Sequence, residues 1–318
     1  MNEHQPYSSS FGDNPAPEAP APVLPGFRPT GAEDETAMFL PEQPNDSSDY
    51  TPRRIPHLGH AVLFVVFAAG ILILAQTLLL GFFTLHASQK AASSLQNPKL
   101  LVAAMAIAYI ATLVTSWLFY PLLWHRSFAE GLQWNFAALR RNLLKLIGIG
   151  LVLGWTVQAI SSLIPMPKSI PMDNFFHTTS DVWLVTVFGT LLAPLFEEIC
   201  FRGFLLPAFA IAYDWLSLPR TPLARQQWQT TTTLSTAGLL FSSIVTSIFF
   251  ALLHAQQLAH AWGALAVLFC VSLVLCFIRI RTRSVACSAL VHACYNLSVF
   301  IVLFIATGGY RHLDKIGH

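Results

Sequence analysis

Charge is scarce in this chain. Only 11% of its 318 residues are Asp, Glu, Lys or Arg, while 54% are hydrophobic, and a soluble domain usually carries about 25% charged residues. That shortage excludes an ordinary soluble globular protein and points to a membrane protein. Cysteine is sparse too. Cys200, Cys270, Cys276, Cys287 and Cys294 all lie in apolar runs and none forms a CxxC pair. This excludes a disulfide framework and a zinc knuckle, and makes the five small packing residues. There is no HExxH and no internal repeat. No basic segment followed by an apolar one opens the chain, so no cleaved signal peptide is expected.

The acids gather where apolar residues are few. Nine of the sixteen fall between Glu3 and Asp49, inside a Pro-, Glu-, Asp- and Ser-rich stretch without apolar periodicity. Such a composition cannot bury enough apolar surface to fold, so residues 1–56 are expected to be a disordered cytoplasmic tail. The formal net charge of +2 therefore conceals a basic body. That fits Lys- and Arg-rich loops beside a cytoplasm and not nucleic-acid binding.

A spanning helix needs about 20 mostly apolar residues. Seven runs qualify, at roughly 61–85, 100–124, 143–164, 182–210, 238–257, 261–279 and 284–306. The expected fold is an all-α polytopic membrane protein of about seven transmembrane helices, or eight if the overlong fourth run divides. Pro194 and Pro207 lie inside that fourth run, which predicts a kink or a break. With the N-terminus cytoplasmic, inner segments collect 13 of the Lys and Arg residues and outer segments 5. The positive-inside rule thus predicts N-in, C-out. The connection 125–141 mixes aromatic and basic residues and reads either as a segment lying along the inner interface or as a solvated loop. Residues 214–237 read as a polar cytoplasmic loop without a functional signal.

The stretch "APLFEEICFRGFLLP", residues 193–207, breaks the apolar rule. Outside the tail seven acids remain, and only Glu197 and Glu198 lie deep in a span. A charge there costs roughly 2.5–3.5 kcal/mol on insertion scales, which makes the pair a functional candidate. Glu198 and Arg202 are four residues apart, with the acid first, the favourable order for an ion pair on one helix face. Glu197 is rotated by about 100° and stays available to accept a proton. Structural packing by an ion-pair cluster is the competing reading.

Two further spacings bring polar groups onto apolar helices. Phe250 and His254 are four apart in "FFALLHA", and His292 and Asn296 are four apart in "LVHACYN". Taken alone, His254 would be a hydrogen-bonded packing residue. Imidazole and carboxamide on one intramembrane face both need partners that lipid does not offer. A desolvated carboxylate beside a histidine can polarise water as a general base. A second histidine and an asparagine amide can donate to an oxyanion. If the three spans converge, the set suits peptide-bond hydrolysis. Residue counting, however, places His254 about 15 residues into its span from the cytoplasm and His292 about eight into its own, so matched depths require unequal helix starts or tilt.

"EEICFR", "FALLH" and "HACYN" match, in order, the EExxxR, FxxxH and HxxxN patterns of the CPBP intramembrane proteases, the family of CAAX prenyl endopeptidases and bacteriocin-processing or self-immunity proteins. The resemblance covers about residues 181–300. It implies a catalytic membrane core over 181–306, while the apolar runs give N-terminal helices over 57–180, without a family signature, and leave a short C-terminal tail over 307–318. Under the resemblance, Glu197 and His254 would hold the attacking water, His292 and Asn296 would stabilise the oxyanion, and Glu198, Arg202 and Phe250 would support them. It also implies a substrate that is a membrane-associated peptide or protein, lipidated ones included, and a place in a plasma membrane such as a bacterial inner membrane. A non-catalytic peptide-binding or self-immunity protein using the same pocket is the alternative. A transporter would show an inverted repeat, whereas here the polar residues crowd into the second half.

The same resemblance raises zinc. Glu197, His254 and His292 form a chemically acceptable set of three ligands. A ligated Glu197, however, could not easily serve as base, and Glu198 is held by Arg202. The expectation is therefore a glutamate-activated water with no required metal.

Overall fold

A computed structural model of the chain describes residues 54–86, 98–165, 167 and 171–315. The tail expected over 1–56 lies, except for its last three residues, outside the described residues. So do Lys90 and Lys168 of the outer segments.

The described residues are helical, with seven helices long and apolar enough to cross a membrane. In chain order they are α1 (Leu58–His86), α2 (Pro98–Trp124), a short α3 (Phe128–Gly131), α4 (Phe136–Ser161), α5 (Thr179–Leu216), α6 (Pro222–Thr230), α7 (Thr236–Leu253), α8 (Trp262–Thr282) and α9 (Val285–Ala306). The spanning set is α1, α2, α4, α5, α7, α8 and α9, so this is an all-α integral membrane protein. Large apolar side chains such as Leu78, Leu122, Leu144 and Ile305 point outward, as a lipid-facing surface requires and a soluble surface would not.

The fourth span is not broken. α5 runs for 38 residues and widens twice, into π-helical turns at Phe188–Leu192 and Ile199–Leu205. Each wide turn stops two residues before a proline. Ala193 N–H reaches back to Phe188 O and Leu206 N–H to Phe201 O, both five residues back. Proline removes one donor and crowds the carbonyl four residues earlier. A wider turn absorbs both faults without ending the helix, and such bulges are frequent at functional sites.

Polar caps fix where helices begin. Ser127 and Glu130 form a capping box on α3, Thr178 and Asp181 form another on α5, and Asn135 caps α4. The connection 125–141 is therefore not a solvated loop. Phe128 and Leu132 are buried against Tyr120, Trp124 and Phe204. Gln133 O accepts from Val285 N–H, and Asn135 and Ser284 exchange two hydrogen bonds, which pins this turn to the α8–α9 corner.

The closest helix contact lies between α4 and α9. A Cβ on Gly150 would come within 2.5 Å of Cys294 Cβ, and one on Gly154 within 1.7 Å of Ser298 Oγ. Gly150 and Gly154 form a GxxxG pair, the small-residue pattern that lets membrane helices approach backbone to backbone. The cysteines follow expectation in part. Cys276, Cys287 and Cys294 are buried and Cys200 is half-buried, but Cys270 is exposed on α8, where a small apolar group can face lipid at no cost.

Candidate active site

The two wide turns bracket Glu197 and Glu198, which sit at the end of the α-helical segment between them. Glu198 is fully buried. Its Oε1 accepts from Arg202 Nη1 at 2.9 Å and lies 3.0 Å from His292 Nδ1. Arg202 is equally buried, and its other terminal nitrogen donates to Ser272 O at 3.0 Å and Ser272 Oγ at 2.7 Å. The guanidinium also faces the Phe250 ring at 4.9 Å. A buried charge is tolerated only when paired and hydrogen-bonded, and here α5, α8 and α9 all contribute to the pairing.

Glu197 points elsewhere. Its side chain keeps 18% exposure, and its Oε2 lies 3.8 Å from His292 Nε2. His292 thus stands between the two glutamates, one on each ring nitrogen. The contact of Nδ1 with Glu198 sets the ring's orientation, and Nε2 faces Glu197 across a gap wider than a direct hydrogen bond.

His254 ends α7 and does not lie within it. Its Nδ1 lies 2.8 Å from Phe250 O. The Phe250 ring stands between the two histidines, with centroids 4.8 Å from His254 and 5.8 Å from His292. The depth mismatch seen by counting disappears because α7 starts far out and runs antiparallel to α5. Ser235 meets Asp214, Ser242 meets Leu206, and Phe250 meets Phe201. Continuing that register brings the end of α7 level with the glutamates. Asn296 Nδ2 donates to Gly189 O at 2.7 Å, so one amide hydrogen is committed to the first wide turn of α5 and the second is left over. Among the described residues no hydrogen bond or ion pair joins His254 to Glu197.

The comparison with known families agrees with this constellation. Residues 179–298 match the family model described as type II CAAX prenyl endopeptidase Rce1-like. This segment is Rce1-like. It runs from the first turn of α5 into α9 and contains all three motifs, whereas α1, α2 and α4 lie outside it. No curated protein and no solved structure matches the chain.

Within the Rce1-like segment Glu197, His254 and His292, the set that zinc would need, do not form a cage. Among the described residues no group of three His, Cys, Asp or Glu side chains could hold a metal ion. His254 and His292 each turn Nδ1 to another partner. As placed, Glu197, His254 and His292 do not form such a group.

Two residues that support the site escaped sequence reasoning. Ser272 receives Arg202 from α8, and Gly189 O receives Asn296. Neither carries a signal in sequence, since a serine in an apolar helix ordinarily satisfies itself on its own backbone.

Proposed function

We propose that the protein is an intramembrane endopeptidase that hydrolyses a peptide bond of a membrane-associated peptide or protein with a glutamate-activated water. The observation that carries this reading is the division of labour between adjacent glutamates. Glu198 is spent on Arg202 and His292, while Glu197 has no direct hydrogen bond among the described residues and faces His292 Nε2 at 3.8 Å.

In this reading Glu197 takes a proton from water. His254, with Nδ1–H on the Phe250 carbonyl, offers Nε2 as a second acceptor that holds the nucleophile. The hydroxide oxygen bonds to the scissile carbonyl carbon, whose oxygen takes the negative charge. His292 donates Nε2–H to that oxyanion, joined by the uncommitted N–H of Asn296. Glu197 then returns its proton to the leaving nitrogen as the C–N bond breaks, so acid and base are one group. The family match supports lipidated CAAX-type substrates. The N-in orientation follows from the distribution of Lys and Arg, and places the start of α9 and the end of α5 on the cytoplasmic side.

The test is a proteomic comparison of membranes carrying wild type or Glu197→Gln. At least one membrane-associated peptide should persist uncut with the variant and reappear shortened with wild type. Identical peptide populations at equal protein levels would refute the reading.

A further inference from the structure

A cavity of about 740 Å³ opens where α1 begins and where α2 and α5 end, with α6 alongside. None of the motif residues lines it. All three of those helix termini lie on the same side of the bundle, the cytoplasmic side under the topology proposed above. Its volume falls in the range of small-molecule sites, roughly 300–1,000 Å³.

The walls are apolar and aromatic, formed by Leu58, Leu123, Ile211, Trp215 and Trp228. The two indoles stand 5.5 Å apart. At one end sits Arg54, whose guanidinium lies 3.5 Å from the centre of the Trp228 ring. Its terminal nitrogens donate to Trp228 O and to Thr231 Oγ1, whereas Nε is buried without a partner. Guanidinium carries five N–H donors; Nε–H is buried away from the cavity, and one N–H on each terminal nitrogen stays uncommitted. Asp214, the acid within electrostatic reach, is occupied by the N–H and hydroxyl of Ser235. His57 also lines the cavity, and burial lowers its pKa, so at neutral pH the positive charge here is that of Arg54.

The rim decides what kind of molecule fits. Leu58, Trp215 and Leu216 are 41%, 57% and 77% exposed, an apolar lip at a helix boundary where Trp and Arg mark the headgroup layer. A soluble anion would use Arg54 and waste the walls; a neutral hydrocarbon would use the walls and leave the guanidinium charge unmet. We propose that this cavity seats one phospholipid with an anionic headgroup, its phosphate on Arg54 and its glycerol and acyl carbons against Trp215, Trp228 and Leu123. The site is independent of the peptidase reading.

Native mass spectrometry of the full chain released from detergent tests it, with phosphatidylglycerol, phosphatidylcholine and inorganic phosphate as probes. One phosphatidylglycerol should bind per chain, about tenfold tighter than phosphatidylcholine, whose ammonium brings a second cation towards Arg54. Inorganic phosphate should not bind measurably. Arg54→Gln should remove the preference. Because Arg54 also ties down α6, Ala212→Trp provides the second test: it fills the lined space, leaves Arg54 in place, and should lose the bound lipid. Equal binding of the two lipids, phosphatidylglycerol retained by Ala212→Trp, or phosphate binding as tightly as the lipid would each overturn the proposal.

Discussion

His292 Nδ1 lies 3.0 Å from Glu198 Oε1, the same oxygen that accepts from Arg202 at 2.9 Å. One carboxylate oxygen therefore aims an imidazole from α9 and neutralises a guanidinium on its own helix. Glu198→Gln removes the charge from a buried pair and strands Arg202, which costs about 3–5 kcal/mol when no other anion replaces it. The detergent-solubilised variant should unfold at a clearly lower temperature than wild type. Glu197→Gln touches neither Arg202 nor the Nδ1 side of His292 and should unfold close to the wild-type temperature. Equal unfolding temperatures for Glu198→Gln and wild type would mean that the ion pair carries no structural role.

Helix α9 is held in place by α4, which lies outside the family match. Gly154→Leu would drive a side chain into Ser298 Oγ and Tyr295 O. Overpacking of this kind costs about 1–3 kcal/mol, and here it also tilts the helix that carries His292 and Asn296. Thermal stability and peptide cleavage should fall together, while Gly148→Leu, where a Cβ meets nothing within 4 Å, should leave both near wild type.

These positions show what the sequence could and could not disclose. Hydropathy located all seven spans, because lipid selects for apolar length whatever the packing. It placed the start of α4 seven residues late, at 143 instead of Phe136, since Arg140 and Arg141 lower local hydropathy without disturbing helical hydrogen bonds. The prolines of α5 were visible, but propensity predicts a kink there, and only the tertiary support of the bundle turns two missing donors into wide turns. Gly150 and Gly154 stood in plain view as a small-residue pair, yet their role depends on which helix faces them. The spacing of four paired Glu198 with Arg202, as the structure has them, but nothing in the motifs put His292 on Glu198. The commitment of Asn296 to Gly189 arises from the wide turn of α5 and has no local signature. Likewise α6, in the polar loop 214–237, is too polar for a span search, although Thr221 caps it and Arg54 stacks on its Trp228.

Removal of metal discriminates between two chemistries. With Glu197 as the base and no metal required, exhaustive chelation of the purified protein should leave peptide cleavage within about twofold of the untreated rate, with well under one zinc per chain. Stoichiometric zinc, with cleavage lost on its removal and restored on its return, would recast both histidines as ligands.

Orientation can be read by labelling in a cysteine-free background. His177→Cys, before α5, should react with an impermeant thiol reagent applied from outside, and Arg220→Cys, after α5, should not. Both positions are exposed, so neither result would be masked by burial. The reverse pattern would invert the topology.

The most direct test is peptide cleavage by the purified chain in phosphatidylcholine nanodiscs, using a prenylated CAAX-type peptide and comparing wild type with Glu197→Gln. Loss of a positioned general base costs about 10²–10⁴-fold. Wild type should release the C-terminal fragment, and the variant should lose cleavage by at least the lower bound while retaining its unfolding temperature. Cleavage by Glu197→Gln at the wild-type rate would contradict the account.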